Sequence, residues 1–505
     1  MKARPHVTII GAGMGGLAAA LVLSARGCEV TVLEAGEEAG GKAGTARVEG
    51  VAFDTGPSML TMPHVLDGLL SAAGYKLSEH VGLRRLTPTF RYLYPDGLTL
   101  DVHHDLEDTL ASVRGALGAE AADDLRQFMV YARQIWDTAA PAFVYADAPS
   151  LGSLFTRDLA LLPKLPRIDG ISRMWGAICK RVRSPQLRTL LARYATYNGS
   201  DVRRAPATLS CIAWVEMGLG GFGVEGGLSA LAQTLADLSA RQGVTFRFNT
   251  RVERITTAGE RVSAVVTSAG ERIKTDAVVA NADVLHTLRD LLPEGARPKL
   301  PTESSLSMSG WTAVIRAKPR AARTAHAALF PERYLEEFAD IFDRGQPPTE
   351  PTIYLCDQAR AHGRTGWEDG TTPLFAMVNA PPLREGQEVA SAATWERVRA
   401  VALRRLTAAQ LIGPEDQVVW ERTPAQLARR FPGSNGSIYG LASNSPWSAF
   451  SRPANRFARL PGLYLATGSA HPGGGVPMCL LSGMLAARAC LQDTSPDQAH
   501  ISCLR

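Results

Sequence analysis

Gly11, Gly13 and Gly16 stand in Gly-x-Gly-x-x-Gly spacing, and an acid, Glu34, follows eighteen residues after the last of them. Glycines so spaced can hold a dinucleotide. The first permits a tight turn, the second lets a pyrophosphate approach the backbone, and the third lets a helix close on a strand. The carboxylate then accepts hydrogen bonds from the adenosine ribose. A second glycine-rich group follows at once, Gly40, Gly41, Lys42 and Gly44, and a third soon after, Phe53-Asp54-Thr55-Gly56. Near the other end, His471-Pro472-Gly473-Gly474-Gly475-Val476-Pro477-Met478 makes a turn ahead of an apolar stretch. Two side chains near such turns can carry a proton: His471 itself, and Glu225 beside Gly226 and Gly227. No metal is expected, because the seven cysteines include no CxxC pair and the ten histidines form no HExxH arrangement.

The elements needed to position these residues are legible around them. Residues 6–10, HVTII, read as a buried strand, Leu17–Ala25 as an apolar helix, and 28–34 as a second strand ending at Glu34. Together they form a βαβ unit whose helix N-terminus faces an anion. The same character returns near residue 220, where VEGG opens an apolar helix to Leu238, VTFRFNTRVERI reads as a strand pair, and DAVVANAD closes a β-rich piece. At the end, PGLYLATGSAHPGGGVPMCLLSGMLAARACL reads as strand, turn and helix, with a helix N-terminus near Val476 directed at an electron-rich ring. Between these lie a helical stretch from about Asp105 to Trp136 and a mixed region over 299–450 with an acidic helix around YLEEFADIFD. A discontinuous cofactor domain is therefore expected, from 1–85, 222–298 and 458–505, with 86–221 and 299–457 as an inserted α+β substrate region.

Composition sets the outer bounds. The chain has 505 residues, 45% hydrophobic and 20% charged, which fits a globular protein and excludes disorder. A net charge of +5 is too small over this length to indicate nucleic-acid binding. Lys2 and Arg4 followed by an uncharged run to Ala25 imitate a signal peptide, but the run is broken by glycines and leads straight into the strand CEVTVLE, so it reads as part of the fold. No stretch is long and apolar enough to span a bilayer. Residues 151–195 mix Lys164, Arg167, Arg173, Lys180, Arg181 and Arg183 with Leu, Ile, Met and Trp, a composition suited either to a membrane interface or to an ordinary surface helix.

The glycine groups after Glu34 resemble those of the flavoprotein superfamily of amine oxidases, carotenoid desaturases and GDP-dissociation inhibitors. More specifically, RYATYNGSDVRRAPATL from Arg193 to Leu209, Gly56-Pro57-Ser58, and the His471–Met478 turn are similar to the carotenoid (phytoene) desaturase family, with matches running to about Ala489. The resemblance implies a Rossmann-like α/β fold that binds FAD through Gly11, Gly13, Gly16, Glu34, Gly41, Lys42 and Gly56. It further implies a strand at Val252 beside the adenine and Gly468, Val476 and Met478 near the flavin ring. It implies a lipophilic carotenoid substrate, dehydrogenation across a carbon–carbon bond, oxygen or a quinone as terminal acceptor, and peripheral attachment to the inner face of a membrane. The ending Gly-Gly-Val-Pro-Met before Leu480-Leu481-Ser482-Gly483 looks more like enzymes acting at the 3,4 bond of hydroxylated or methoxylated carotenoids than those acting on phytoene. Gly468-Ser469-Ala470-His471-Pro472-Gly473 stands where the phytoene type has a longer Gly-x-Gly-Thr-His-Pro-Gly run.

His471 and Glu225 each have a plain structural role open to them, the first satisfying backbone groups in a tight turn and the second sitting at a helix N-terminus. Asp54 is expected to bond backbone amides near the cofactor. Three other activities use the same motifs: early phytoene desaturation, carotenoid isomerisation, and non-catalytic carriage of a prenyl lipid. The intact Gly-Gly-Lys turn weighs against the last. An amine oxidase would want an aromatic pair for the amine, and no such pair is evident.

Overall fold

A computed structural model describes residues 4–149, 159–298, 306–384 and 390–501. Its central layer is a five-stranded parallel sheet in the order Thr245–Arg247, Glu29–Leu33, His6–Ile10, Ala277–Ala280, Leu463–Leu465. Val7 and Ile9 are fully buried and Ile10 nearly so, as a parallel strand covered on both faces requires. Helices Met14–Ala25, Leu228–Arg241 and Val476–Thr494 contribute Leu17, Leu21, Leu231, Leu235, Leu481 and Leu485 to the core on one face. The first and last of these approach closely at Gly15 and Gly483, where a Cβ on Gly483 would lie 2.2 Å from the Gly15 carbonyl oxygen.

The second layer is a seven-stranded sheet in the order Gln417–Arg422, Ser309–Ala317, Thr372–Ala380, Ile353–Asp357, His326–Leu329, Phe90–Leu93, Thr99–Val102. Only the pairing of Phe90–Leu93 with His326–Leu329 is parallel. Side chains alternate along its strands. Leu374, Ala376 and Val378 face a core shared with Val398, Ala402 and Leu406 of helix Ala392–Ala408, while Phe375, Met377 and Asn379 face a cavity. Trp311 and Leu355 follow the first face; Thr312 and Tyr354 follow the second.

Three expectations need correcting. VTFRFNTRVERI does form two strands, but they do not pair: Thr245–Arg247 joins the parallel sheet, whereas Val252–Ala258 pairs with Arg261–Thr267 in a separate antiparallel sheet. Asn249, at φ +53°, turns the chain between them, and Asn249 and Thr250 donate to the Gly36 and Glu34 carbonyls. The helical stretch is two helices, Leu106–Leu117 and Ala119–Phe143, divided at Gly118 with φ +89°. The YLEEFADIFD segment is a short α-turn, Tyr334–Phe338, followed by a π-turn, Ala339–Arg344, and two of its acids point inward. Buried Glu337 accepts from the Thr352 amide (2.9 Å) and from Asn379 Nδ2 (2.8 Å), and burial raises its carboxyl above the usual range.

The basic segment expected over 151–195 lies partly outside the described residues. Its described part is a 3₁₀ run, Leu159–Ile168, and two helices, Met174–Arg181 and Pro185–Arg193. Met174, Ala177 and Ile178 pack inward, so the apolar face is used by the protein's own core. Ile171 is left 93% exposed among exposed Arg167, Arg173 and Lys180.

Candidate functional site

The carboxyl ends of the parallel strands open onto a cavity of about 640 Å³, where an open α/β sheet is expected to bind a ligand. Gly11 follows the first strand at φ +100°, and a Cβ on Gly13 would lie 2.6 Å from Asn281 Oδ1, to which the Gly13 amide donates (2.8 Å). Asn281 Nδ2 donates onward to the Ala466 carbonyl, so one side chain ties the glycine loop to the start of the carboxy-terminal turn. Gly16 lies off the cavity wall; a Cβ there would stand 2.2 Å from the Gly11 carbonyl oxygen, which is the close helix–strand packing its place in the motif requires.

Glu34 ends the second strand and lines the cavity, its two oxygens accepting from the Ala12 and Gly36 amides at 2.7 Å each. Gly41, at φ +59°, packs against Gly13, where its Cβ would stand 3.1 Å from the Gly13 Cα. Lys42 Nζ donates to the Ser437 and Ile438 carbonyls (3.1 and 3.0 Å), and its ammonium is pulled below the usual lysine range by burial, with Asp283 opposing. Gly56 leaves no room for a side chain, since its Cβ would lie 1.9 Å from the Lys42 carbonyl oxygen. Asp54 accepts from the Leu228 amide (2.7 Å) and pairs with Arg364 (2.5 Å), both side chains being buried.

Gly41, Lys42, Gly56, Val252, Gly468 and Val476 all line the same cavity as Gly11, Gly13 and Glu34. Val476 begins a 19-residue helix after Gly475, so unpaired amides and the positive end of its dipole face the space. Met478 lies one residue beyond the lining Pro477 and packs against the parallel-sheet core. A backbone cradle that Cβ atoms would fill, a ribose-facing acid and a helix N-terminus together suit a dinucleotide with a ring at its far end.

Neither candidate proton carrier is on the cavity wall. His471 is 2% exposed and built into its turn: its amide donates to the Pro453 carbonyl, its carbonyl accepts from Asn455 Nδ2 (2.9 Å), and Nε2 meets the Ala146 carbonyl (2.9 Å). Glu225 faces outward and pairs with Arg84 at 3.5 Å.

The rest of the wall comes from the seven-stranded sheet and helical segments beside it, and sequence reasoning reached it only through the RYATYNGSDVRRAPATL stretch, which holds Arg193 and Tyr197, without giving either a role. Phe90, Tyr354, Phe375 and Met377 make it apolar. Tyr354 Oη contacts Ser58 Oγ and lies 2.9 Å from Nδ1 of His326, whose pKa is pushed well below the usual value by burial, then by His362 and Arg193. Arg193 completes the group. Arg422, donating to the Thr55 carbonyl at 2.7 Å, closes the cradle side, its pKa lowered to about 10 by burial and then by Arg430. Among the described residues no group of His, Cys, Asp and Glu is placed to hold a metal ion.

Comparison with known proteins defines the class. Residues 14–491 match the family of flavin containing amine oxidoreductases, and the chain belongs to that family. It is an FAD-dependent oxidoreductase. Among its relatives, the hydroxyneurosporene desaturase of Rubrivivax gelatinosus is 36% identical over 493 residues, 96% of this chain and 93% of that one. The 1-hydroxycarotenoid 3,4-desaturase of a Flavobacterium is 30% identical over 489 residues, 95% and 97% of the two chains. In fold, putrescine oxidase bound to putrescine superposes with a TM-score of 0.60 at 15% identity, over 97% of this chain and 99% of that one.

Proposed function

We propose that this protein is a carotenoid desaturase that introduces a carbon–carbon double bond into a lipophilic polyene, at the 3,4 position of a 1-hydroxy- or 1-methoxy-carotenoid. The observation that carries this reading is one cavity with two unlike ends, a glycine cradle at one and an aromatic wall at the other. End-to-end similarity to desaturases named for such substrates supports it.

FAD, when bound, supplies the two-electron acceptor for the hydrogen removed. The chain's own residues bind and orient. Gly11 and Gly13 admit a pyrophosphate to the helix N-terminus, Glu34 receives the ribose, Val252 flanks the adenine, and Lys42, Gly56, Gly468 and Val476 surround the ring. Phe90, Tyr354, Phe375 and Met377 exclude water from the polyene and hold it flat against that ring. His471 and Glu225 are assigned positioning roles, the first fixing the turn before Val476. The proposed cofactor unit, 1–85, 222–298 and 458–505, is closed on one side by Arg422–Tyr439 from the substrate region.

Such a substrate lives in a bilayer, and no described helix is long and apolar enough to cross one. We place peripheral contact at the surface around Ile171, where exposed Arg167, Arg173 and Lys180 suit anionic headgroups. The terminal electron acceptor is oxygen or a quinone.

Expression in a bacterial host making either phytoene or a 1-hydroxylated carotenoid tests the function, with pigments compared by mass and spectrum. Loss of two hydrogens with a red shift on the hydroxylated substrate alone is the expected result. Colour from phytoene would assign an early desaturase, and a changed spectrum at constant mass an isomerase.

A further inference from the structure

Arg193 ends helix Pro185–Arg193, is 7% exposed and lines the cavity. Four aromatic rings surround its guanidinium, those of Phe90, Tyr197, Tyr92 and Tyr354, at 4.4, 5.0, 5.5 and 5.9 Å from ring centroid to Cζ. Nη1 donates to the hydroxyls of Tyr197 (2.9 Å) and Tyr92 (3.1 Å). Tyr197 passes its own proton toward Glu216, which also accepts from Tyr194 at 2.8 Å. Among the described residues no carboxylate pairs with Arg193 directly, and its Nε and Nη2 make no hydrogen bond.

A buried guanidinium with one nitrogen bonded is costly, and ring contacts offset only part of that cost. Arg193 lines a wall otherwise suited to hydrocarbon, so a purely hydrocarbon ligand would leave its remaining N–H groups bare. An acceptor oxygen on the ligand removes the conflict. Position fits as well. In a 1-oxygenated polyene only two bonds separate the oxygen-bearing carbon from the nearer carbon of the 3,4 bond, so whatever reads that oxygen must stand beside the reacting bond. Tyr354, one ring of the cage, contacts Ser58, two residues past Gly56 of the cradle. Arg193 therefore stands where cradle and apolar wall meet.

We propose that Arg193 is the specificity-determining residue of the cavity, donating from Nε and Nη2 to the oxygen on C1 of the carotenoid. A hydroxyl and a methyl ether present the same acceptor, so both are taken, and a polyene ending in hydrocarbon is refused. The Tyr197–Glu216 pair fixes the guanidinium plane. This assignment rests on the desaturase reading above.

The test compares two polyenes of equal conjugation, one with and one without the C1 hydroxyl, on the FAD-loaded protein. Turnover is scored by mass and binding by the shift of the flavin spectrum. The wild type should favour the oxygenated polyene by about 10²-fold or more, as sites built to hydrogen-bond a substrate oxygen do. Arg193→Met should retain flavin and lose that preference to within about tenfold, with Arg193→Lys intermediate because it keeps charge without the planar fork. A merely structural role would depress both polyenes equally and leave the ratio unchanged, overturning the assignment. Should Arg193→Met fail to hold flavin, the wild type decides: equal binding of the two polyenes overturns it. Bound flavin with a binding preference but no desaturation of either polyene would instead overturn the desaturase reading.

Discussion

At the cradle end of the cavity the wall is mostly backbone, and at the polyene end it is mostly side chain. Gly13 and Gly56 matter because a Cβ would collide at 2.6 and 1.9 Å. Phe90, Tyr354 and Phe375 matter because of the rings they carry, and their backbone is ordinary strand, antiparallel on both sides at Tyr354 and Phe375 and between one parallel and one antiparallel partner at Phe90. The first device recognises a cofactor by close approach and dipoles, and changes little with substrate. The second can be repainted residue by residue without disturbing the strands.

The sharpest way to break this contrast is at the joint between the two ends. Asp54 binds the start of helix Leu228–Arg241 and pairs with Arg364, in the turn between two strands of the seven-stranded sheet. Asp54→Ala leaves a buried guanidinium unpaired and should cost about 3–5 kcal/mol in urea unfolding, with both ends affected. Gly13→Trp acts on the cradle alone. The nearest atoms its Cβ meets belong to the Asn281 side chain rather than to backbone, so the fold should persist while flavin binding weakens by about 10²-fold, near 3 kcal/mol by titration. Tyr354→Phe acts chiefly on the polyene end: it removes the hydroxyl that joins Ser58 to His326 and should cost about 1–2 kcal/mol, with flavin affinity changed far less than by Gly13→Trp.

The last effect is a pH dependence from two buried histidines, His326 beside Tyr354 on the polyene side and His362, which accepts from the Val224 amide, near the joint. His326 and His362 are both pushed below 6.5 in the fold, chiefly by burial, so each is neutral when folded and protonates more readily when unfolded. Stability they contribute is present above about pH 6.5 and is lost as pH falls toward their folded values, at up to about 1.4 kcal/mol per pH unit for each. Thermal melts at falling pH should show this slope, reduced in His326→Gln.

The same contrast explains what could be read beforehand. Gly11, Gly13 and Gly16 were legible because their conformation and packing admit little else, and Glu34 because it ends a strand in register with them. Asn281 was not, since one asparagine after an apolar strand looks like any loop residue until it is seen bonded to Gly13 and Ala466. The aromatic wall was hidden because it takes alternate residues from strands far apart in the chain, an arrangement no local window contains. The supposed pairing within VTFRFNTRVERI failed for a related reason, a single left-handed residue, Asn249, sending its halves to different sheets.

The central claim is that the two ends of the cavity act on one molecule each and meet at the bond oxidised. A single turnover without oxygen or quinone tests it: FAD-loaded protein is mixed with one equivalent of a 1-hydroxylated carotenoid in liposomes, and flavin bleaching is followed beside the mass of the pigment. The account predicts bleaching in proportion to a product that has lost two hydrogens and shifted to longer wavelength. Flavin that stays oxidised while the pigment keeps its mass would contradict it.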